Sequence, residues 1–220
     1  LRAMDEGGME QAVLFGSAMA FNISLIWEPD VAIAAAKAYN QFLYEEFLKA
    51  SPRLKGVAIL PLQDMDEAVK ELRRAVTELG MKGAMIPAWG LHPPLGHKQF
   101  FPLYEEAQKL NAVIAVHSGT QGIHHFGADN FERFIEVHTF CFPVGLFKQI
   151  TSMMFQGIPE RFPELRVGWM EAGCGWLPYW MERMDEEYEM RGAVEAPLLK
   201  RAPSEYIRDL PWYFHTEAGE

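Results

Sequence analysis

The eleven residues from Ala112 to Gly122, AVIAVHSGTQG, decide how the chain is read. Five apolar residues run into a histidine, His117, and the chain then breaks into Ser118, Gly119 and Gly122, which turn easily. A strand apolar on both faces suits a parallel sheet covered by helices. In α/β sheets and barrels, functional groups sit at the carboxyl ends of such strands, the position His117 takes. A neutral imidazole there can bind a metal or move a proton near neutral pH.

The same grammar extends in both directions. Apolar runs at Ala12–Gly16, Lys55–Leu60, Lys82–Ala88, Arg166–Glu171 and Trp212–Thr216 read as further strands. Between them lie helical patterns at Pro29–Ala50, from Asp64 to Gly80 with Asp64 and Glu67 as a capping-box variant, and at Phe100–Leu110, Pro143–Gln156, Leu177–Met190 and Pro203–Asp209. The opening residues read as the end of a helix feeding a strand. Repeated strand-helix units predict an α/β fold with parallel crossovers in one domain spanning 1–220. Ser118 to Phe142 reads as a long functional loop.

With 220 residues, the chain is long enough for one large core. A net charge of −10 argues against nucleic-acid or anionic-membrane partners. No apolar run reaches the ~18 residues of a membrane span, and the opening residues lack signal-peptide order. Cys141 and Cys174 form no metal-type spacing and read as buried thiols, so a reducing cytoplasm is expected. Nucleotide-binding, P-loop and nucleophile-elbow motifs are absent.

The wording of several stretches is more specific. Arg161-Phe162-Pro163, Leu165, Gly173, Trp176, Pro178 and Arg183-Met184-Asp185, with PRLKGVAILPLQD (52–64), MKGAMIPA and VHSG, resemble the amidohydrolase-related family of metal-dependent hydrolases and decarboxylases. That family includes aminocarboxymuconate semialdehyde decarboxylase. The resemblance implies a (β/α)₈ TIM barrel whose metal site draws on strands 1, 5, often 6, and 8. On that pattern the chain supplies strands 2 to 7, and strands 1 and 8 are missing, so an incomplete barrel is expected. His117 resembles the strand-5 metal ligand, and zinc or manganese is the implied ion. Where the family often has a strand-6 histidine, this chain has Glu171.

The expected activity is hydrolysis or non-oxidative decarboxylation of a small carboxylated or aromatic substrate, and the chain is a possible homo-oligomer. The competing expectation is a non-catalytic scaffold without a complete metal site. Glu171 and His138 are the candidate catalytic residues, and Trp89 the candidate substrate wall at the mouth of the site. Against these stand plainer readings: Glu171 as a helix-start carboxylate, His138 as a local hydrogen-bonding residue, Trp89 packed under its loop. His124 and His125, adjacent in a Gly-flanked loop, and His92 and His97 beside Pro93-Pro94 are weaker candidates.

Overall fold

Strands and helices alternate along the computed structural model, which describes residues 1–125 and 127–216, with backbone only for Gln121, Gly122 and His125. In chain order the elements are α1 (Arg2–Glu6), β1 (Ala12–Leu14), α2 (Ala18–Asn22), α3 (Pro29–Glu46), β2 (Leu54–Gly56), β3 (Ala58–Ile59), α4 (Met65–Thr77) and β4 (Gly83–Pro87). Then come α5 (Phe101–Lys109), β5 (Val113–His117), α6 (Phe134–Phe155), α7 (Ile158–Arg161), β6 (Arg166–Met170), α8 (Leu177–Glu195), α9 (Pro203–Asp209) and β7 (Trp212–Phe214).

Every strand pairing is parallel, with β1 on β2 and a second run β3-β4-β5-β6-β7. The single run expected over Lys55–Leu60 is divided at Val57. There Val57 N–H donates to the Leu14 carbonyl (3.1 Å), and Lys82 N–H donates to that of Gly56 (2.9 Å). These bonds join the two runs, so six parallel strand lines follow one another in sequence order, the inner order of an α/β barrel. Beyond the break, the Asn40 amide of α3 substitutes for a neighbouring strand. It donates to the Ile59 carbonyl and accepts from the Ile59 N–H, both at 2.9 Å.

Period-two alternation sends the strand side chains into two cores. Ala58, Leu60, Ala84, Ile86, Ile114, Val116 and Val167 join the larger, beneath α4, α5 and α6. Val57, Ile59, Met85 and Ala115 join the smaller, covered by Ala20 and Ile23 of the α2 region and by Ala32 and Ala36 of α3. A sheet buried on both faces explains why its strands read as continuous apolar runs.

Asp64 caps α4 by accepting from the Glu67 N–H at 3.0 Å. The Glu67 carboxylate instead holds Lys70 and Lys37 at 2.7 and 2.9 Å, so only half of the expected box forms. The largest departure is α6, which begins at Phe134 and carries Pro143 inside it. The proline was expected to start the helix, where prolines are favoured. The helix starts earlier because Glu136 folds back to accept from the Arg133 N–H at 2.7 Å, satisfying the first turn. Phe47 and Tyr179 are exposed at 41% and 63%. Among the described residues no helix is long and apolar enough to cross a membrane.

Candidate active site at the strand ends

His117 is the last residue of β5, and Glu171 follows β6 immediately. β5 and β6 are neighbours in register, with His117 opposite Met170. Glu171 adopts φ +55°, a left-handed conformation rare for a side chain larger than glycine. Its carboxylate thereby meets the ring of His117, with Oε2 2.8 Å from Nε2. The two residues thus converge at the carboxyl end of one sheet.

The His117 ring is buried and held by several neighbours. Nδ1 lies 2.6 Å from the Ser118 carbonyl, which only accepts, so Nδ1 carries a proton. Nε2 faces a carboxylate oxygen of Glu171. Phe21 of α2 packs edge-on against the ring at 4.8 Å, and Phe15 lies 6.2 Å away. The Ser118 hydroxyl donates to the Cys141 carbonyl of α6 at 2.8 Å. That close approach requires a glycine on the helix: a Cβ on Gly145 would lie 2.1 Å from Ser118 Oγ.

These groups open onto a cavity of about 750 Å³ lined by Phe15, His117, Met170, Glu171 and His215 on the strand side. Opposite them stand His138, Thr139, Phe142 and Pro143 of α6. His138 therefore reaches the site from the second turn of a helix, rather than from the expected loop. Its ring stacks on Phe142 at 4.4 Å and meets the edge of Phe134 at 5.5 Å. Pro143 has no N–H, so the Thr139 carbonyl lacks its helical donor at the cavity wall.

Trp89 is elsewhere. It is fully buried two residues past β4 and lines no part of this cavity, so its placement is the plainer one, packed under its loop. Gln149 of α6 fixes that loop, donating to the Ala88 carbonyl (2.6 Å) and accepting from the Leu95 N–H (2.9 Å). His124 is exposed and lies 3.6 Å from Asp129. His97 caps a short turn through the Gln99 N–H at 3.3 Å, and His92 is exposed. The side chain of His125 lies outside the described residues. His215 was missed in the sequence, although it follows an apolar strand as His117 does.

Imidazole and carboxylate together suit manganese or zinc in kind. They fall short in number, since catalytic zinc sites take about three protein ligands. Among the described residues no three His, Cys, Asp or Glu side chains gather as a metal site requires.

Parallel strands in sequence order, with a histidine and a carboxylate at adjacent strand ends, define the class of barrel enzymes that work at the carboxyl face. The chain belongs to the amidohydrolase family, whose model matches residues 3–218. It is 27% identical over 180 residues to the 2-amino-3-carboxymuconate-6-semialdehyde decarboxylase of Dictyostelium discoideum, covering 82% of this chain and 49% of that protein. It is 30% identical to the gamma-resorcylate decarboxylase of Rhodococcus jostii, covering 100% of this chain and 68% of that protein. The chain thus spans between about half and two thirds of the length of these curated relatives. Among solved structures it resembles the dihydroxybenzoic acid decarboxylase of Polaromonas sp. JS666, which holds bound manganese and 2-nitroresorcinol. That match has a TM-score of 0.80 at 26% identity and covers 99% of this chain and 66% of the other. A Mycobacterium avium amidohydrolase matches with a TM-score of 0.82 at 18% identity, a likeness of fold alone. The barrel architecture inferred from the sequence is the fold of this family.

Proposed function

We propose that this chain carries out, or forms the greater part of an enzyme that carries out, non-oxidative decarboxylation of a small aromatic or unsaturated carboxylic acid. The observation that carries the proposal is the 2.8 Å contact between His117 and Glu171 at the floor of the cavity. It sets an imidazole and a carboxylate, two groups that can carry a proton, beside space for a ring-sized substrate, and decarboxylation consumes one proton. In the reaction a C–H bond forms at the carbon bearing the carboxylate. The C–C bond then breaks, its electron pair returns to the substrate, and carbon dioxide leaves. The decarboxylase relatives favour this over hydrolysis.

Glu171, half-exposed at the cavity, is the proposed proton carrier, and His117 orients its carboxylate. His138, on the opposite wall, is placed to donate to the substrate's oxygens. The flanking Phe15, Phe142 and Met170 present apolar surface to a planar ring and exclude water from it. A divalent ion, manganese as in the Polaromonas relative or zinc, would take His117 Nε2 as one donor and supply positive charge to substrate oxygens. The proposal includes a cytoplasmic setting, for which two cysteines outside any disulfide are the support.

The test is to incubate the chain with 2,6-dihydroxybenzoate and manganese and follow resorcinol by chromatography. Product formation that disappears in Glu171→Gln supports the proposal. No product from the wild-type chain at any metal concentration favours the scaffold reading.

A further inference from the structure

Both nitrogens of the His117 ring face groups that only accept. Nδ1 lies 2.6 Å from the Ser118 carbonyl, and Nε2 lies 2.8 Å from the Glu171 carboxylate. A neutral imidazole carries one proton, so the two acceptors compete for it. The nitrogen that keeps the proton decides which one is left to meet the cavity. The Ser118 contact joins neighbours in the chain, and it needs the peptide after Ser118 turned back over the ring. Gly119 follows at once and offers little resistance to rotation of that peptide. The orientation of the carbonyl therefore depends on what else holds Ser118.

Two ties hold it. The Ala88 N–H, just past β4, donates to the His117 carbonyl at 2.8 Å and fixes the peptide before Ser118. On the other side the hydroxyl of Ser118, a fully buried residue, donates to the Cys141 carbonyl of α6 at 2.8 Å. α6 carries a glycine where the serine approaches it. A Cβ on Gly145 would lie 2.1 Å from Ser118 Oγ, 3.0 Å from Ser118 Cβ and 3.2 Å from Ala88 Cβ. Helix, serine and the end of β4 are thus in close contact at one point. The same helix bears His138, Thr139 and Phe142 on the opposite wall of the cavity. One hydroxyl bond therefore registers that wall against the residue that holds the ring.

We infer that Ser118 is a positioning residue of the site: its hydroxyl, tied to Cys141, keeps its own carbonyl on Nδ1 of His117, so that Nε2 is the nitrogen turned to Glu171 and the cavity. Its bearing on catalysis rests on the decarboxylase reading above. Its effect on the ring does not.

The test follows the His117 ring by proton and nitrogen-15 NMR in the 220-residue chain, without metal or substrate. In the wild type the Nδ1–H is expected as a resolved resonance that exchanges slowly with water. Ser118→Ala keeps the backbone carbonyl and removes its tie. Exchange should then be roughly 3- to 10-fold faster, the factor that corresponds to one hydrogen bond. Asp64→Ala removes the α4 cap and supplies a destabilised control, whose Nδ1–H should exchange at the wild-type rate. If Ser118→Ala fails to fold, Gly145→Ala, whose Cβ displaces the hydroxyl, is read in its place. An unchanged rate in the serine variant, an equal acceleration in Asp64→Ala, or a wild type without a protected Nδ1–H overturns the inference. None of these readings requires turnover, so the inference can fall while the decarboxylase reading stands. Product formation from 2,6-dihydroxybenzoate tests that reading alone.

Discussion

Replacing Glu171 by glycine should make the protein more stable while disabling it. The left-handed backbone at φ +55° costs a residue with a Cβ about 1–2 kcal/mol, and glycine escapes that cost. Against this stands the lost contact with His117, which is worth about 0–1 kcal/mol because the Glu171 side chain is 53% exposed and screened by water. The net expectation is a gain of about 0–2 kcal/mol, with ~2–4 °C in melting temperature for each kcal/mol in a chain of this size. Glu171→Ala separates the two effects, because alanine loses the carboxylate and keeps the strain. The comparison that matters is glycine against alanine, about 1–2 kcal/mol in favour of glycine, read from urea midpoints and thermal melts followed by circular dichroism. Asn111→Gly, at φ 51° and away from the cavity, supplies the control in which stability rises without change in ligand binding. If Glu171→Gly is no more stable than Glu171→Ala, the strand end is not strained and the reasoning fails.

Three further outcomes follow from other parts of the molecule. Gly145→Ala should lose about 1–2 kcal/mol despite alanine's helix preference, because its Cβ would lie 2.1 Å from Ser118 Oγ; adding Ser118→Ala should restore much of that in denaturant melts. Stability should fall in acid: Lys70 and Lys37 hold the Glu67 carboxyl down to about 2, Arg73 lowers that of Glu106, and Lys200 and then Tyr206 lower that of Glu160. Carboxyls lowered in the folded state stabilise it above their unfolded value of about 4.5, and that contribution disappears as the pH falls towards about 2. Melting temperatures across that window should drop, and Lys37→Ala/Lys70→Ala should flatten the drop. Because His117 and Glu171 give two donors, dialysed protein should retain well under one equivalent of manganese or zinc by elemental analysis; a full equivalent would show that other residues complete a site.

The strands were legible because parallel strands buried on both faces leave unbroken apolar runs, and Val113–His117 and Arg166–Met170 are such runs. The contact between His117 and Glu171 was legible for the same reason, since both end a strand before a glycine-containing turn. The start of α6 was not legible, because Phe134 to Phe142 is apolar without helical periodicity and Pro143 resembles a first-turn residue. That error put His138 on a loop. Trp89 was misplaced because a residue two positions past a strand end has left the alternation that would say where it points. His215 was hidden in a run of aromatics that read only as strand. Its alignment with His117 depends on register across β6, which no local pattern encodes.

Pro143 gives α6 a mechanical consequence. Before it, His138, Thr139 and Phe142 form a wall of the cavity; beyond it, Gln149 clamps the loop after β4, and Ser152 Oγ accepts from the Gly96 N–H at 3.1 Å. The missing backbone bond makes this the point of least bending stiffness along the helix. The far half is anchored to the loop after β4, and the near half, tied to Ser118 at the Cys141 carbonyl, bears one wall of the chamber. The shape of the chamber is thus set in part by residues that never line it, Gln149 and Ser152 on the far side of the proline, rather than by its floor alone.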